Sequence, residues 1–326
     1  MRCWMGWIGA IALAATATGV AAAEPPTIGI LAMGPQTVFR ELPTYARFYA
    51  RMRELGWREG ENIRYVGRGA SGNAANLDPA AKELLASGVA LIVTVGYLEA
   101  LAAKRATGTV PVVMVHPGDP VELGVVPSFN RPGGNITGNF SAPYSIYAKR
   151  AELLAELVPA ARRVVIAYDA PLPTSRVTAV IEDADKQIHV THTWQEIPAS
   201  GDYDAWFTQL KRAGAGAMQI AHSSSIFRPE RRKALAEALI RHKLPSFCAT
   251  SEYVESGCLA SYGPSNIEFF ASAAVYADKI LRGAKPGDLA IQQPTIYEFV
   301  INLKTAKALG ISIPQAVLLR ANRVIE

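Results

Sequence analysis

Short apolar runs alternate with longer amphipathic stretches along the chain after residue 26. Val112–Val115 is an unbroken apolar run of the kind found in a strand that is buried on both faces. Phe269, Ala273, Tyr276 and Ile280 instead follow one another at helical spacing. The repeated order of strand and helix predicts βαβ units. We therefore expect an α/β fold in which parallel sheets carry helices on both faces.

The pattern predicts individual elements in order. The predicted strands are 27–33, 62–66, 90–95, 112–115, 164–168, 189–193, 217–221, 245–249, 259–262 and 297–303. The predicted helices are one ending near 55, then 76–86, 98–106, 145–158, 174–186, 202–212, 229–242, 251–255, one from 265 to 283, and 305–309. Ser145 is a predicted N-cap, and Ser265 with Glu268 has capping-box spacing. The tail to Glu326 has no clear periodicity.

The stretch from His116 to residue 142 is rich in glycine and proline and lies near the middle of the chain. It contains the turns 118–120 and 131–134, followed by a second extended piece. Two interpretations remain open. It is either the first crossing between two α/β lobes, with its turns forming part of the wall of a cleft, or a long loop within one large sheet.

Length and the first residues change this picture in two ways. A chain of 326 residues exceeds what one compact core usually serves, so we expect two domains. Arg2, the apolar stretch 4–20 and the small residues 21–23 predict a signal peptide that is cleaved before Glu24. A membrane anchor is the alternative. Cys3 precedes the cleavage site, so a lipidated cysteine is not expected, and we predict a free soluble protein.

Charge and cysteine content exclude little. Cleavage would lower the formal charge from +5 to +4, because residues 1–23 contain Arg2 and no acidic residue. The densest basic group, at 228 and 231–233, is more typical of a solvated helix face than of a nucleic-acid site. An exported protein permits a disulfide between Cys248 and Cys258, and two buried free thiols are the alternative.

Familiar catalytic motifs are missing from the sequence. There is no G-x-x-x-x-G-K-[ST], no H-E-x-x-H and no G-x-S-x-G. The histidines and the two later cysteines have no zinc spacing, and we predict neither a metal nor a cofactor. His189 and His192 would point to opposite faces of a strand, and we expect both at the surface. These absences argue only weakly against an enzyme, because a catalytic pair such as His116 with Asp119 can be assembled in three dimensions.

Several long pieces of the chain resemble one known family. They are residues 54–57 (ELGW), 102–107 (AAKRAT), 118–121 (GDPV), 131–138 (RPGGNITG), 261–264 (SYGP), 274–283 with 285–286, and 302–310 (NLKTAKALG). In this order they resemble the ABC-transporter substrate-binding proteins of the periplasmic type I binding-protein fold, whose members include aromatic amino acid binders. The resemblance covers nearly all of the chain after residue 23.

The resemblance implies two Rossmann-like lobes that close on a small molecule and present it to an inner-membrane ABC permease, with no cofactor and no bond-breaking step. We place the first lobe at 24–138 and 263–289 and the second at 139–262 and 290–326, and we expect a monomer. This chain departs from the family pattern at 95–98, at 169–173 and at Cys258. Those positions lie at the expected edges of the cleft, so the resemblance does not identify the ligand.

Candidate ligand contacts follow from topology, because ligands of open α/β sheets bind beyond the carboxyl ends of the strands. The first lobe offers Gly34, Pro35, Gly96, Tyr97, His116 and Asp119. The second lobe offers Asp169, Ser223, Ser224, Phe227, Thr250 and Glu252. Phe140 and Tyr262 are candidate hinge or cleft residues.

Each candidate with a clear role has a structural alternative. Tyr97 would stack on the ligand or pack on a loop. Asp119 would contact ligand or cap the following turn, and the cap is favoured. Glu252 would pair with a ligand ammonium group or sit in the first turn of a short helix, and Tyr262 would line the cleft or pack.

We expect a periplasmic solute-binding protein of an ABC importer, with an amino acid or an aromatic acid as ligand. A ligand-binding sensor that feeds a kinase or chemoreceptor is the alternative, and an exported enzyme on the same scaffold is a third possibility. Neither nucleic acid nor metal is expected as a partner.

Overall fold

The computed structural model describes residues 24–116, 118–141, 144–168, 175–198, 201–221 and 229–326. The predicted signal peptide, residues 1–23, lies outside these ranges. Within these ranges, no helix is both long enough and apolar enough to cross a membrane.

The first part of the chain forms a five-stranded parallel sheet. Its elements in chain order are β1 (Thr27–Ala32), α1 (Pro43–Glu54), β2 (Arg64–Gly69), α2 (Leu77–Ala86), β3 (Leu91–Val95), α3 (Tyr97–Ala106), β4 (Val112–Val115) and β5 (Ile136–Gly138), with 3₁₀ turns at Gln36–Arg40 and Ala74–Asn76. The strand order is β2-β1-β3-β4-β5. All four pairings are parallel.

The next part supplies most of a second, seven-stranded sheet. Its elements are α4 (Ser145–Leu157), β6 (Arg163–Tyr168), α5 (Ser175–Ile188), β7 (Thr191–Glu196), α6 (Tyr203–Arg212), β8 (Ala217–Ile220), α7 (Pro229–Arg241), β9 (Ser246–Cys248), α8 (Ser251–Glu255) and β10 (Ala260–Pro264). The last part consists of α9 (Asn266–Leu281), a 3₁₀ turn at Pro286–Asp288, β11 (Tyr297–Asn302), α10 (Leu303–Leu309), α11 (Gln315–Leu318) and β12 (Arg323–Ile325).

The second sheet is mixed. Its order is β12-β11-β10-β9-β8-β6-β7, and β11 runs antiparallel to β10 while its other pairings are parallel. The predicted α/β architecture with two parallel-strand sheets is confirmed. β11 matches the predicted strand 297–303, but its antiparallel orientation was not predicted. The edge strand β12 was not predicted either, because the tail to Glu326 shows no clear periodicity.

The chain passes between the sheets three times. It leaves the first sheet after β5 and enters the second through α4. It returns after β10, because α9 packs Phe270, Ala273 and Ala277 into the core of the first sheet. It then crosses again to reach β11. Two of the crossings pair with each other, since the N–H of Phe140 donates to the carbonyl of Gln292 at 3.0 Å and the N–H of Gln292 donates to the carbonyl of Gly138 at 3.0 Å.

Several local predictions were wrong. Ser145 is the first residue of α4 and not its N-cap. Ser265 precedes α9 as predicted, but its side chain makes no capping hydrogen bond, so the capping box does not form. The side chain of His192 is only 2% exposed, because its ring packs beneath α5 and bonds to Asp185 at 2.5 Å. A surface position was expected for it.

Candidate functional site

A cleft of about 500 Å³ lies between the two halves of the molecule. One wall is the start of α1, which packs on the first sheet. The opposite wall comes from α8, β11 and the segment leading into β12, which belong to the second sheet, and the start of α9 closes the end nearest the crossings. The cleft is therefore lined by side chains from both halves of the molecule.

Glu252 on α8 faces this cleft. Its Oε1 accepts a hydrogen bond from Nδ2 of Asn266, the first residue of α9, at 2.9 Å. Its Oε2 is buried and has no hydrogen-bond partner among the described residues. Glu252 was a predicted ligand residue, and the structure places it on the cleft wall.

Asn266 and Thr44 also line the cleft and were missed. Asn266 is 2% exposed and Thr44 is 4% exposed. Within the described ranges, Oδ1 of Asn266 and Oγ1 of Thr44 are buried without a hydrogen-bond partner. Both residues occupy the first turn of a helix, where polar side chains are usually explained by capping. The sequence analysis considered Asn266 only as part of the capping-box stretch 265–268 and did not single out Thr44.

The charged side chains at the rim of the cleft pair with protein groups. Arg323 donates to Oε1 of Glu255 at 2.8 Å. Arg232 donates to Oγ of Ser256 at 2.9 Å, and its guanidinium carbon lies 5.8 Å from the centre of the Tyr253 ring. The other charged side chains that line the cleft are the acidic Glu252 and Glu298.

A disulfide joins Cys248 to Cys258. It spans α8, since Cys248 ends β9 and Cys258 precedes β10. Asn302 supports the same helix by donating from Nδ2 to the carbonyl of Val254 at 2.9 Å. The helix that carries Glu252 is thus attached to the second sheet at both ends.

Other predicted residues lie at the carboxyl edge of the first sheet. Gly96 has φ of +113° and precedes α3, and Tyr97 is half-buried as the first residue of that helix. A Cβ on Gly96 would lie 2.4 Å from Oε2 of Glu99. The positive φ favours glycine here, and a side chain would in addition force the Glu99 carboxyl group to shift.

Glu99 is a buried carboxyl group that sequence reasoning missed. It is 0% exposed, and neither of its oxygens forms a hydrogen bond of good geometry within the part of the chain that the structure describes. Burial raises the pKa of Glu99 to about 8, and the backbone N–H groups of Glu99 and Met33 oppose this shift. The group is therefore largely protonated at neutral pH.

His116 and Asp119 follow β4. His116 is buried with φ of +56°, and its ring meets the Phe269 ring edge-on with centroids 4.0 Å apart. Oδ1 of Asp119 accepts from the N–H groups of Val121 at 2.9 Å and Glu122 at 3.0 Å. The favoured alternative for Asp119, a cap on the following turn, is the arrangement observed.

Four further predicted residues pack against other parts of the protein. Gly34 and Pro35 lie against the end of β2, where a Cβ on Gly69 would be 2.1 Å from the Gly34 carbonyl oxygen. Phe140 is buried against Phe129 in the core, with ring centroids 5.0 Å apart, and Tyr262 stacks on Tyr297 at 5.7 Å.

Thr250 precedes α8 with its Oγ1 buried. Four predicted contacts lie outside the described residues: Asp169, Ser223, Ser224 and Phe227.

Arg150 on α4 is a further buried charge that the sequence did not reveal. Its Nε donates to the carbonyl of Tyr262 at 2.7 Å and its guanidinium donates to the carbonyl of Ala249 at 3.1 Å. Burial lowers the pKa of Arg150 to about 10, although nearby tyrosines oppose the shift. In the described residues we find no group of three or more His, Cys, Asp or Glu side chains placed to hold a metal ion.

Two open α/β sheets, three crossings and a cleft between them define the type I periplasmic binding-protein fold. The family described as "ABC transporter substrate binding protein" matches residues 44–325, and the chain belongs to this family. Proteins of this family bind small molecules and are not enzymes, and the family indicates an extracytoplasmic location.

Known relatives include ligand-binding proteins. The chain is 24% identical over 264 residues to the tyrosine-binding protein of Clostridioides difficile (strain R20291). This match covers 80% of this chain and 75% of that protein. The structure of an ABC domain from Streptococcus pneumoniae in complex with L-Trp has a TM-score of 0.82 at 23% identity, covering 92% of this chain and all of that one. A conserved domain protein from Vibrio cholerae gives the same TM-score, identity and coverage.

Proposed function

We propose that this protein is the periplasmic solute-binding component of an ABC importer. In this proposal a small organic molecule, either an amino acid or an aromatic acid, binds in the cleft between two lobes that close by a hinge motion. The observation that carries the proposal is the cleft of about 500 Å³, which is lined by both halves of the molecule and whose lining residues include buried polar atoms without partners in the described ranges. A volume of this size suits a small organic ligand.

Hinge closure follows from contacts on both walls. A ligand that touches α1 on one side and α8 on the other makes its full set of contacts only when the lobes are together, so binding lowers the free energy of the closed state. The lobes in this proposal are 24–138 with 263–289, and 139–262 with 290–326. The paired crossings at Phe140 and Gln292 are then part of the hinge.

The cellular role rests on the family and on the amino-terminal sequence. We propose that residues 1–23 are a signal peptide, that the mature chain is a periplasmic monomer, and that it delivers its ligand to an inner-membrane ABC permease. The names of two relatives support an amino acid ligand, since one is a tyrosine-binding protein and the other is a complex with L-Trp.

A thermal-shift screen tests this function. The chain from Glu24, unfolded and refolded to remove carried-over ligand, is tested with amino acids, aromatic acids, short peptides and sugars. A ligand at 100 times its dissociation constant adds about 2.7 kcal/mol to the free energy of unfolding. We expect a clear shift with one chemical class, and a well-folded protein that shifts with no compound would contradict the proposal.

A variant then locates the site. Ile267 lies at the cleft and is 42% exposed, so Ile267→Trp should obstruct the ligand and abolish the shift. Leu319→Trp is the matched control, because Leu319 is 78% exposed and does not line the cleft. Equal shifts in both variants would place the ligand elsewhere.

A further inference from the structure

Three side-chain oxygen atoms, each in a residue that lines the cleft, are buried without a hydrogen-bond partner in the described part of the chain. They are Oε2 of Glu252, Oδ1 of Asn266 and Oγ1 of Thr44. A buried polar atom that lacks a partner destabilises the protein, so most such atoms in native proteins are satisfied by protein, water or ligand. Three of them on one cavity indicate a ligand that brings hydrogen-bond donors.

The chemistry of these atoms is fixed by their surroundings. Nδ2 of Asn266 donates to Oε1 of Glu252, so Asn266 presents its carbonyl oxygen as the free atom. A carboxylate oxygen and an amide carbonyl oxygen only accept hydrogen bonds, and a threonine hydroxyl accepts as well as donates. The three atoms together therefore favour a group that has several donors and no acceptor.

We propose that Glu252, Asn266 and Thr44 form a subsite for the protonated primary amine of the ligand. An ammonium group has three N–H donors and no acceptor, which matches three acceptor oxygens, and its positive charge complements the Glu252 carboxylate. A ligand carboxylate at this position would face two acceptors and a negative charge. This inference rests on the proposed function. Of the two ligand classes named there, it selects amino acids over aromatic acids that lack an amine.

The residues of this subsite come from both proposed lobes. Thr44 belongs to α1 on the first sheet, and Glu252 belongs to α8 on the second. Asn266 begins α9 directly after β10, at the second crossing. An ammonium group bound here contacts both lobes and the crossing between them, so the amine contributes to closure as well as to selectivity.

The test compares compounds that differ only in the amine. The refolded chain from Glu24 is first screened by thermal shift with the twenty proteinogenic L-amino acids, with indole-3-propanoate and 3-(4-hydroxyphenyl)propanoate, and with sugars. The amino acid that gives the largest shift and its des-amino acid are then titrated by calorimetry. We expect the des-amino acid to bind on the order of 100-fold more weakly or not measurably, since it leaves the buried oxygens unpaired.

Variants assign the effect to the subsite. Glu252→Gln keeps the shape of the side chain and removes its charge, and it should weaken amino acid binding by about 10- to 100-fold. Thr44→Val should weaken it by about 5- to 10-fold. Glu237→Gln is the matched control, because Glu237 is exposed on α7 and pairs only loosely with Lys233 at 3.9 Å, so binding should be unchanged. Melting temperatures without ligand establish that each variant folds.

The outcomes distinguish failure of the ammonium subsite from failure of the proposed solute-binding function. If the des-amino acid or a sugar binds as tightly as any amino acid, the subsite is wrong while a solute-binding function stands. Binding that is unaffected by Glu252→Gln overturns the subsite as well, and Thr44→Val decides the same question if Glu252→Gln does not fold. A folded protein that binds no compound in the panel overturns both proposals.

Discussion

The guanidinium group of Arg150 is joined to the backbone of Tyr262. Nε donates to the Tyr262 carbonyl at 2.7 Å, and the same group donates to the carbonyl of Ala249 at 3.1 Å. Tyr262 is the middle residue of β10, the strand after which the chain returns to the first sheet, and Ala249 directly follows β9. A single buried cation therefore ties the end of β9 to the middle of β10, close to the point where the chain crosses.

Arg150→Met should destabilise the protein by roughly 2–4 kcal/mol, because it leaves two buried carbonyl groups without their donors. Arg150→Lys keeps the charge but cannot donate to two carbonyl groups at once as a guanidinium does. Its free energy of unfolding should therefore lie between those of the wild type and Arg150→Met. Urea unfolding measures both changes. Arg162→Met is the control, since Arg162 is exposed and should change the free energy of unfolding by less than about 0.5 kcal/mol. Equal effects at the two arginines would refute this account of the contact.

Gly263 leaves no room for a side chain in the same region. A Cβ there would lie 2.0 Å from the Ala249 carbonyl oxygen, which is backbone and cannot move independently. We expect Gly263→Ala to cost about 2 kcal/mol or more in unfolding free energy. Gly108→Ala, where the Cβ meets nothing within 4 Å, serves as control. A Gly263→Ala protein with the stability of the wild type would show that the crossing adjusts freely.

The Cys248–Cys258 disulfide closes a short loop around α8. Replacing both cysteines with alanine should lower the free energy of unfolding by roughly 2–3 kcal/mol, because a loop of this length gains that much freedom in the unfolded chain. Ligand affinity should fall too, since α8 carries Glu252. Urea unfolding and calorimetric titration measure the two effects. Unchanged affinity with reduced stability would mean that Asn302 alone is enough to hold the helix.

Glu99 predicts a pH dependence of stability. Its pKa in the folded protein is about 8, above the ordinary value of 4.5 that applies to the unfolded chain. The folded state therefore holds the proton more tightly, so stability is greatest below about pH 4.5 for this group and is lost as the pH rises towards 8. The limiting slope is about 1.4 kcal/mol per pH unit.

The variant Glu99→Gln removes this titration while keeping the shape of the side chain. Its stability relative to the wild type should increase steadily between pH 5 and pH 8, as measured by urea unfolding at several pH values. Glu156→Gln, at an exposed position on α4, is the control. A stability difference that stays constant over this range would show that Glu99 titrates normally.

Periodicity predicted the elements whose environment is uniform. Val112–Val115 is buried on both faces and was predicted with its observed bounds, as was the short helix Ser251–Glu255. Periodicity failed where tertiary contacts decide. β12 at Arg323–Ile325 forms only because β11 provides an edge, and His192 is buried only because Asp185 lies on the helix above it.

The candidate site was partly predictable for a related reason. Glu252 follows a predicted strand end, and topology directs such residues to a cleft. Thr44 and Asn266 begin helices and appear in sequence as ordinary first-turn residues. Whether a polar side chain caps its own helix or faces a cavity depends on hydrogen bonds across the fold, which one sequence does not contain.

The central claim is that a small ligand draws two lobes together across the cleft. Small-angle X-ray scattering of the refolded chain, with and without saturating amounts of the amino acid identified by thermal shift, tests it most directly. The account predicts a smaller radius of gyration with ligand, and an unchanged radius in Ile267→Trp under the same conditions. A radius that stays the same in the wild type while calorimetry shows full occupancy would contradict closure of the lobes on the ligand.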